Sequence, residues 1–324
     1  MKIVALDGGV GGAKLAHGLA QILAPEDLTI IVNTGDDFEH YGLYICPDLD
    51  TVCYTLAGLA NPETGWGRVD ESWNVIENAT KLGGPNWFRL GDRDLGTHLE
   101  RTRRLKEGQC LSEITSDFCN AWGIGNTVLP MTDQYVHTIV ETDEGDLEFQ
   151  EYFVRRRCEP RVRGFRFDGI DVAEPAPGAR EAIAEADAVV ICPSNPWVSI
   201  DPILRVFSPL PRLALSRCAE LVEAEAEGLG EGLGVRVVAV SPIIGGTAIK
   251  GPAAKMYREL GIEPSAVAVA NHYRSLLTGF VLDEVDALLV KDLEVKTLVT
   301  NTLMKSSEDR RRLAQDVLHW IGDS

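Results

Sequence analysis

The sequence predicts an α/β fold: a Rossmann-like, doubly wound and mainly parallel sheet that carries a helical and β-hairpin insert. Three observations support this class. The chain opens as strand, glycine-rich turn, helix and strand. Short apolar runs recur later, each beside a helical pattern. The middle third breaks that rhythm with a long helical stretch followed by a hairpin turn.

Taken in order, residues 2–6 form a short apolar run of strand length that enters the turn Asp7-Gly8-Gly9-Val10-Gly11-Gly12-Ala13-Lys14. Residues 13–23 then repeat their apolar positions with helical spacing, and Leu28–Val32 reads as a second strand ending at Asn33. Runs at 188–192, 235–240 and 287–290 are read as later strands. The first two end in the loops Pro193-Ser194-Asn195-Pro196 and Ser241-Pro242-Ile243-Ile244-Gly245-Gly246. Ligands of open α/β sheets bind beyond the carboxyl ends of the strands, so these loops are expected to converge with 7–14 and 33–37 on one crevice. Residues 70–126 read as mostly helical. Runs at 136–141 and 147–154 flank Asp143-Glu144-Gly145-Asp146 as a hairpin. One domain over 1–324 is therefore expected, with 70–160 as its insert. The acidic 220–234 stretch reads as exposed helix and loop. Residues 307–321 read as a surface helix capped by Ser306 or Ser307, with Leu313, Val317, Leu318 and Ile321 as its apolar stripe.

Composition narrows the function. A chain of 324 residues with 45% hydrophobic content describes a globular protein with ample core. Its net charge of -18 argues against nucleic-acid binding, which needs a basic footprint. Seven scattered cysteines without a CxxC pair give no zinc or iron–sulfur signature and suit reduced thiols. No apolar run is long enough to span a membrane, and residues 2–6 read as a strand rather than a signal peptide, so a cytoplasmic protein is expected.

Two clusters carry the chemistry. In the glycine turn, missing Cβ atoms let backbone N–H groups of Gly9, Val10, Gly11 and Gly12 approach phosphate oxygens, and the helix start adds positive character. Counting from Gly9, the third glycine of a dinucleotide fingerprint falls on Lys14, and the second strand ends in Asn33 where a ribose-binding acid is expected. A Walker loop fails too, because Leu15 follows Lys14. Downstream, Asp36, Asp37, Asp48 and Asp50 lie within fifteen residues. Carboxylates grouped at a strand end suit magnesium beside substrate phosphates, although Asp48 equally suits a helix cap.

Further along, Trp87-Phe88-Arg89-Leu90-Gly91-Asp92-Arg93-Asp94 places aromatics beside arginines. That pattern suits a flat ring or a phosphate, while Asp92 or Asp94 equally suits a helix cap and Trp87 the core. Lys250 and Lys255 are candidates to hold phosphate, with a solvated surface role as the alternative for Lys255. Pro252 suits the first turn of a helix with Gly251 at its N-terminus. His40 and His98 lie near the motifs and read as structural. No GxSxG supports a serine nucleophile.

Laid end to end, these motifs resemble the 2-phospho-L-lactate transferase family (CofD/FbiA) of coenzyme F-420 biosynthesis. The matching residues are GGVGGAKL at 8–15, NTGDD at 33–37, ICPDLDT at 45–51, YTLAG at 54–58, GWG at 65–67 and WFRLGDRDLGTH at 87–98. LPMTD at 129–133, FQEYFVRRR at 149–157, PSNPWVSIDPIL at 193–204 and SPIIGGTAIKGPAAKM at 241–256 complete the set. The resemblance implies a magnesium-dependent transfer of a phospholactyl or phosphoenolpyruvyl group. The donor is a guanosine diphosphate diester, with phosphoglycerate as a third donor type. The acceptor is the terminal ribityl hydroxyl of the deazaflavin Fo, and GMP leaves.

By the same resemblance, Asp50 and Arg89 match Fo-binding positions, and Asp36 and Asp50 fall where the metal is held and are the catalytic candidates. Gly9 to Gly12, Lys14, Ser194, Asn195 and Lys250 are expected on the phosphate and nucleotide side, and a homodimer is implied. The alternatives are a non-catalytic sugar-nucleotide-binding regulator of the same superfamily and an NAD-type oxidoreductase, the latter disfavoured by the broken fingerprint.

Overall fold

The computed structural model describes residues 1–207 and 235–323, so the acidic 220–234 segment lies outside the described residues. The chain enters through β1 (Ile3–Asp7), α1 (Val10–Ala20) and β2 (Leu28–Val32), then makes a small hairpin of β3 (Phe38–His40) and β4 (Leu43–Ile45) before α2 (Pro47–Leu56). Helices α3 (Asn74–Lys81), α4 (Asp92–Lys106) and α5 (Leu111–Ala121) lead into β5 (Thr127–Pro130). Next come β6 (His137–Thr142), β7 (Gly145–Glu148), a π-helical turn at Glu151–Arg155 and β8 (Val162–Asp168). Then follow α6 (Ala179–Glu185), β9 (Ala188–Ile191) and α7 (Asp201–Phe207). The second described stretch holds β10 (Arg236–Val240), the short β11 (Ile243–Ile244) and β12 (Thr247–Ala248), α8 (Ala253–Glu259) and α9 (Ala266–His272). It ends with β13 (Gly279–Asp283), β14 (Lys296–Thr300) and α10 (Ser307–Asp323).

Among the described residues, seven strands form one parallel sheet in the order β14-β13-β10-β9-β1-β2-β5. Its inner strands β13, β10, β9, β1 and β2 are buried almost throughout because both faces are covered. Val4 and Leu6 of β1 enter the core with Ile200, Ile203, Val269 and Tyr273, whereas Ile3 and Ala5 point to the opposite core with Leu15, Val52, Leu313 and Val317. The period of two along a strand therefore builds two cores from five residues. From β1 the chain winds outward through β2 to β5, then returns to β9 on the other side and winds away to β14. The β1/β9 boundary is thus the switch point where such sheets bind ligands.

Local chemistry explains the flanking elements. Asp92 opens α4 and turns its carboxylate to the start of α3, accepting from Ser72 Oγ (2.7 Å), Asn74 N (3.0 Å) and Val75 N (3.0 Å). Glu71 answers by accepting from Arg93 N and Asp94 N at 2.8 Å each, so each helix start is capped from the other's neighbourhood. At α10, Ser306 Oγ accepts from Asp309 N (3.1 Å) while the Asp309 carboxylate accepts from Ser306 N (2.8 Å), a reciprocal cap.

Several sequence expectations shift. Residues 287–290 lie in a 3-10 helix (Glu284–Asp292) whose Leu288 and Val285 are exposed; the strands are β13, five buried residues, and β14. The 147–154 run is a strand only to Glu148, because the chain then coils into the Glu151–Arg155 turn. The hairpin closes through Asp143 and Glu144 and gains a third strand, β8. Residues 70–160 also supply β5, which pairs with β2 in the main sheet. Among the described residues no helix is long and apolar enough to cross a membrane.

Candidate active site

At the switch point a cavity of about 930 Å³ opens, in the range of small-molecule sites. Its floor is the glycine turn. Gly9 has φ +86°, and a Cβ there would overlap the Asp48 carboxylate; at Gly11 it would overlap Pro193 O. Gly12 packs equally close to the Asp7 carboxylate and Ser194 Oγ. Side chains at these positions would push α1 away from the 193–195 turn. The Gly9 N–H is taken by Asp7 Oδ1 (2.9 Å), but no side chain caps α1, so the N–H groups of Val10, Gly11 and Gly12 are left to meet an anion. Gly8 N donates to Ser194 Oγ (3.1 Å), which ties the ends of β1 and β9 together.

Carboxylates form one wall. Asp36, Asp48 and Asp50 line the cavity, with Asp7 and Asp37 buried beside them. Asp48 follows Pro47 in the first turn of α2 and accepts from Asn33 Nδ2 (2.9 Å), so it holds the end of β2 rather than capping the helix. Burial pushes the Asp48 carboxyl up to about 6. Burial, then the charge of Asp48, pushes Asp36 well above the usual carboxylate range, and the same two causes raise Asp7. Asp36 Oδ1, Asp7 Oδ2 and both oxygens of Asp37 have no hydrogen-bond partner.

Asp50 sits in a different environment. Arg101, buried in α4, grips its carboxylate with both guanidinium nitrogens: Nη1 donates to Oδ2 (3.0 Å) and Nη2 to Oδ1. His98 Nδ1 lies 3.6 Å from Asp50 Oδ2, and its Nε2 lies 3.4 Å from Asp94 Oδ1. Tyr54 OH donates to Asp94 Oδ1 (2.7 Å). Ligand atoms of Asp50, Asp94 and His98 fall within 4.8 Å of one another, spacing that could hold a metal ion. Arg101, however, already supplies the cation there, 3.3 Å from His98 Nδ1. The orphaned oxygen of Asp36 fits an added cation better, because a buried anion without a partner is costly.

The remaining predicted residues are distributed around the rim. Lys14 lines the cavity and donates to Met304 O (3.1 Å); burial, then Lys250 and Arg310, lowers its pKa. Lys250 lines it too and donates to Thr64 O (2.9 Å). Arg89 reaches the rim with its guanidinium 4.2 Å from the Trp73 ring centre. Asn195 borders the cavity, yet its side chain is occupied, accepting from Trp197 N (3.1 Å) and facing Met256 Sδ (3.2 Å). Val10, Gly11 and Ser194 are in the wall; Gly9 and Gly12 shape it from behind.

Lys255 turns away to Glu259 (2.6 Å) and Pro160 O (3.1 Å). Phe88 faces the cavity, while Trp87 packs on Phe38 and His40. The 302–305 loop after β14, which lines the cavity beside Lys14, carries no sequence signal, and the contacts of His98 with Asp50 and Asp94 are not legible from residue type alone. The i, i+4, i+7 spacing of Asp94, His98 and Arg101 on α4 is the signal that could have found the Asp50 network.

A parallel sheet with a glycine turn and a carboxylate wall at its switch point defines the class, and the comparisons make it an α/β transferase. The chain belongs to the family described as 2-phospho-L-lactate transferase CofD, which it matches over residues 3–321. A phosphoenolpyruvate transferase of Streptomyces griseus is 45% identical over 300 residues, covering 91% of this chain and 89% of that protein. A 2-phospho-L-lactate transferase of Methanopyrus kandleri is 41% identical over 326 residues, covering 99% and 98%. Among solved structures, a UPF0052-family protein of Bacillus halodurans aligns with TM-score 0.61 at 16% identity, covering 98% of this chain and 99% of that one, a likeness of fold.

Proposed function

We propose that the protein transfers a phosphoenolpyruvyl or phospholactyl group from a guanosine diphosphate diester to the terminal ribityl hydroxyl of the deazaflavin Fo, releasing GMP, in coenzyme F-420 biosynthesis. One observation carries the reading: a single cavity joins the uncapped start of α1, the carboxylates Asp36, Asp48 and Asp50, and the Phe88–Arg89 rim. Relatives named for both acid types match nearly the whole chain.

Each part then has a task. Backbone N–H groups at Val10 and Gly11, with Lys14 and Lys250, bind the donor phosphates. Phe88 and Arg89 bind the flat acceptor. Asp50, in the wall of the same cavity, accepts a hydrogen bond from the attacking hydroxyl and orients its lone pair. Phosphoryl transfer asks mainly for alignment and charge neutralisation, which these groups supply. Asp36 and Asp48, with Asp50 at their edge, would hold Mg²⁺. When bound, the ion neutralises charge on the phosphate oxygens.

The test is mass spectrometry of the product made from Fo with each guanosine donor in turn, including the phosphoglycerate form. A phosphodiester of Fo carrying one donor's acid is expected. Donor that stays intact while still binding to the protein would point instead to a nucleotide-binding regulator.

A further inference from the structure

Arg101 does not border the cavity, yet it holds the carboxylate that does. Two helices supply the contact. Asp50 and Tyr54 stand one turn apart on α2. Asp94, His98 and Arg101 stand at i, i+4 and i+7 on α4. The two faces meet as a buried polar seam: Arg101 on both oxygens of Asp50, His98 between Asp50 and Asp94, and Tyr54 on Asp94. A two-pronged arginine contact fixes the plane of a carboxylate as well as its place.

We propose that Arg101 is a positioning residue for the transfer: its grip sets the direction in which Asp50 presents its remaining lone pairs to the acceptor hydroxyl. This rests on the reaction proposed above. A single-point cation cannot reproduce the grip, since lysine offers no fork. Small misplacements of an orienting group cost on the order of 100-fold in rate.

The experiment compares the parent with Arg101→Met and Arg101→Lys, each checked for folding by circular dichroism and for donor binding. Fo-dependent GMP release should fall about 100-fold in Arg101→Met, in kcat rather than in the KM for donor. Added guanidinium should recover on the order of tenfold, while uncharged urea of similar shape should not. A Met variant within about threefold of the parent, or equal recovery by urea, would overturn the proposal.

If Arg101→Met does not fold, Arg101→Lys carries the test: a kcat loss of about tenfold supports the role and an unchanged kcat overturns it. A parent that releases no GMP refutes the reaction itself. Fo binding, followed by deazaflavin fluorescence, then decides the residue: weaker binding in Arg101→Lys retains a positioning role for Arg101, and equal affinity removes it.

Discussion

Gly9 is constrained twice over, by its backbone and by its neighbour. Its φ of +86° with ψ of -134° lies in a region that only glycine occupies freely, and a Cβ would meet the Asp48 carboxylate. Gly9→Ala should lose of order 1–3 kcal/mol of stability and weaken donor binding, read by thermal melting and by the KM for donor. Asp50→Asn keeps the side-chain shape but removes the charge that faces Arg101. It should lower turnover about 1000-fold while the circular dichroism spectrum stays that of the parent. Near-normal GMP release by folded Asp50→Asn would remove Asp50 from the mechanism.

Residue by residue, the sequence disclosed what is dense in type. The glycine turn and Asp36, Asp48 and Asp50 stand out because glycines and carboxylates cluster there, and all three carboxylates line the cavity. Arg101 was invisible because its helix is polar nearly throughout: a buried arginine looks like a solvated one until its partner on another helix is known. The 302–305 loop carries no motif and reaches the cavity only through the order of the strands.

At the scale of elements, α2 links stability to pH. Burial pushes Asp48 up to about 6, above the ordinary carboxylate value near 4. The native protein therefore holds that proton more tightly than the unfolded chain. The resulting stabilisation is complete below about pH 4 and is lost as pH rises through about 6. Two pH units correspond to about 3 kcal/mol, an upper figure because Asp48 is partly open to cavity water. Asp7 and Asp36 are shifted in the same direction.

Without divalent cations, the melting temperature should thus rise on acidification from about pH 7 to about pH 5, and Asp48→Asn should flatten the slope. Added Mg²⁺ should stabilise the protein near neutral pH, and the gain should shrink in Asp36→Asn. Helix α10 tests packing apart from chemistry. Leu313 is fully buried against the sheet, so Leu313→Ala should cost about 2–5 kcal/mol with little change in KM for Fo. This helix was legible from its cap and stripe. The Glu284–Asp292 turn was misread as a strand because a short apolar run alone does not separate the two.

For the whole molecule, function follows from strand order. Placing β1 between β2 and β9 brings the turns at 7–14, 33–37 and 193–196 to one crevice, and β10 and β14 add the 241–253 and 302–305 segments. The opening strand–turn–helix–strand made the parallel sheet legible. Its full order was not, because β13 and β14 have no flanking motif and no strand was read over β5 at the opposite edge. The surrounding acidity, -18 in all, makes neutralisation of an anionic donor a task for the few cations at this cavity and for added metal.

The most direct measurement is GMP release with Fo, guanosine donor and Mg²⁺ supplied together and with each omitted in turn. Release that requires all three is the predicted result; release independent of Fo, or none with the complete set, would contradict the account.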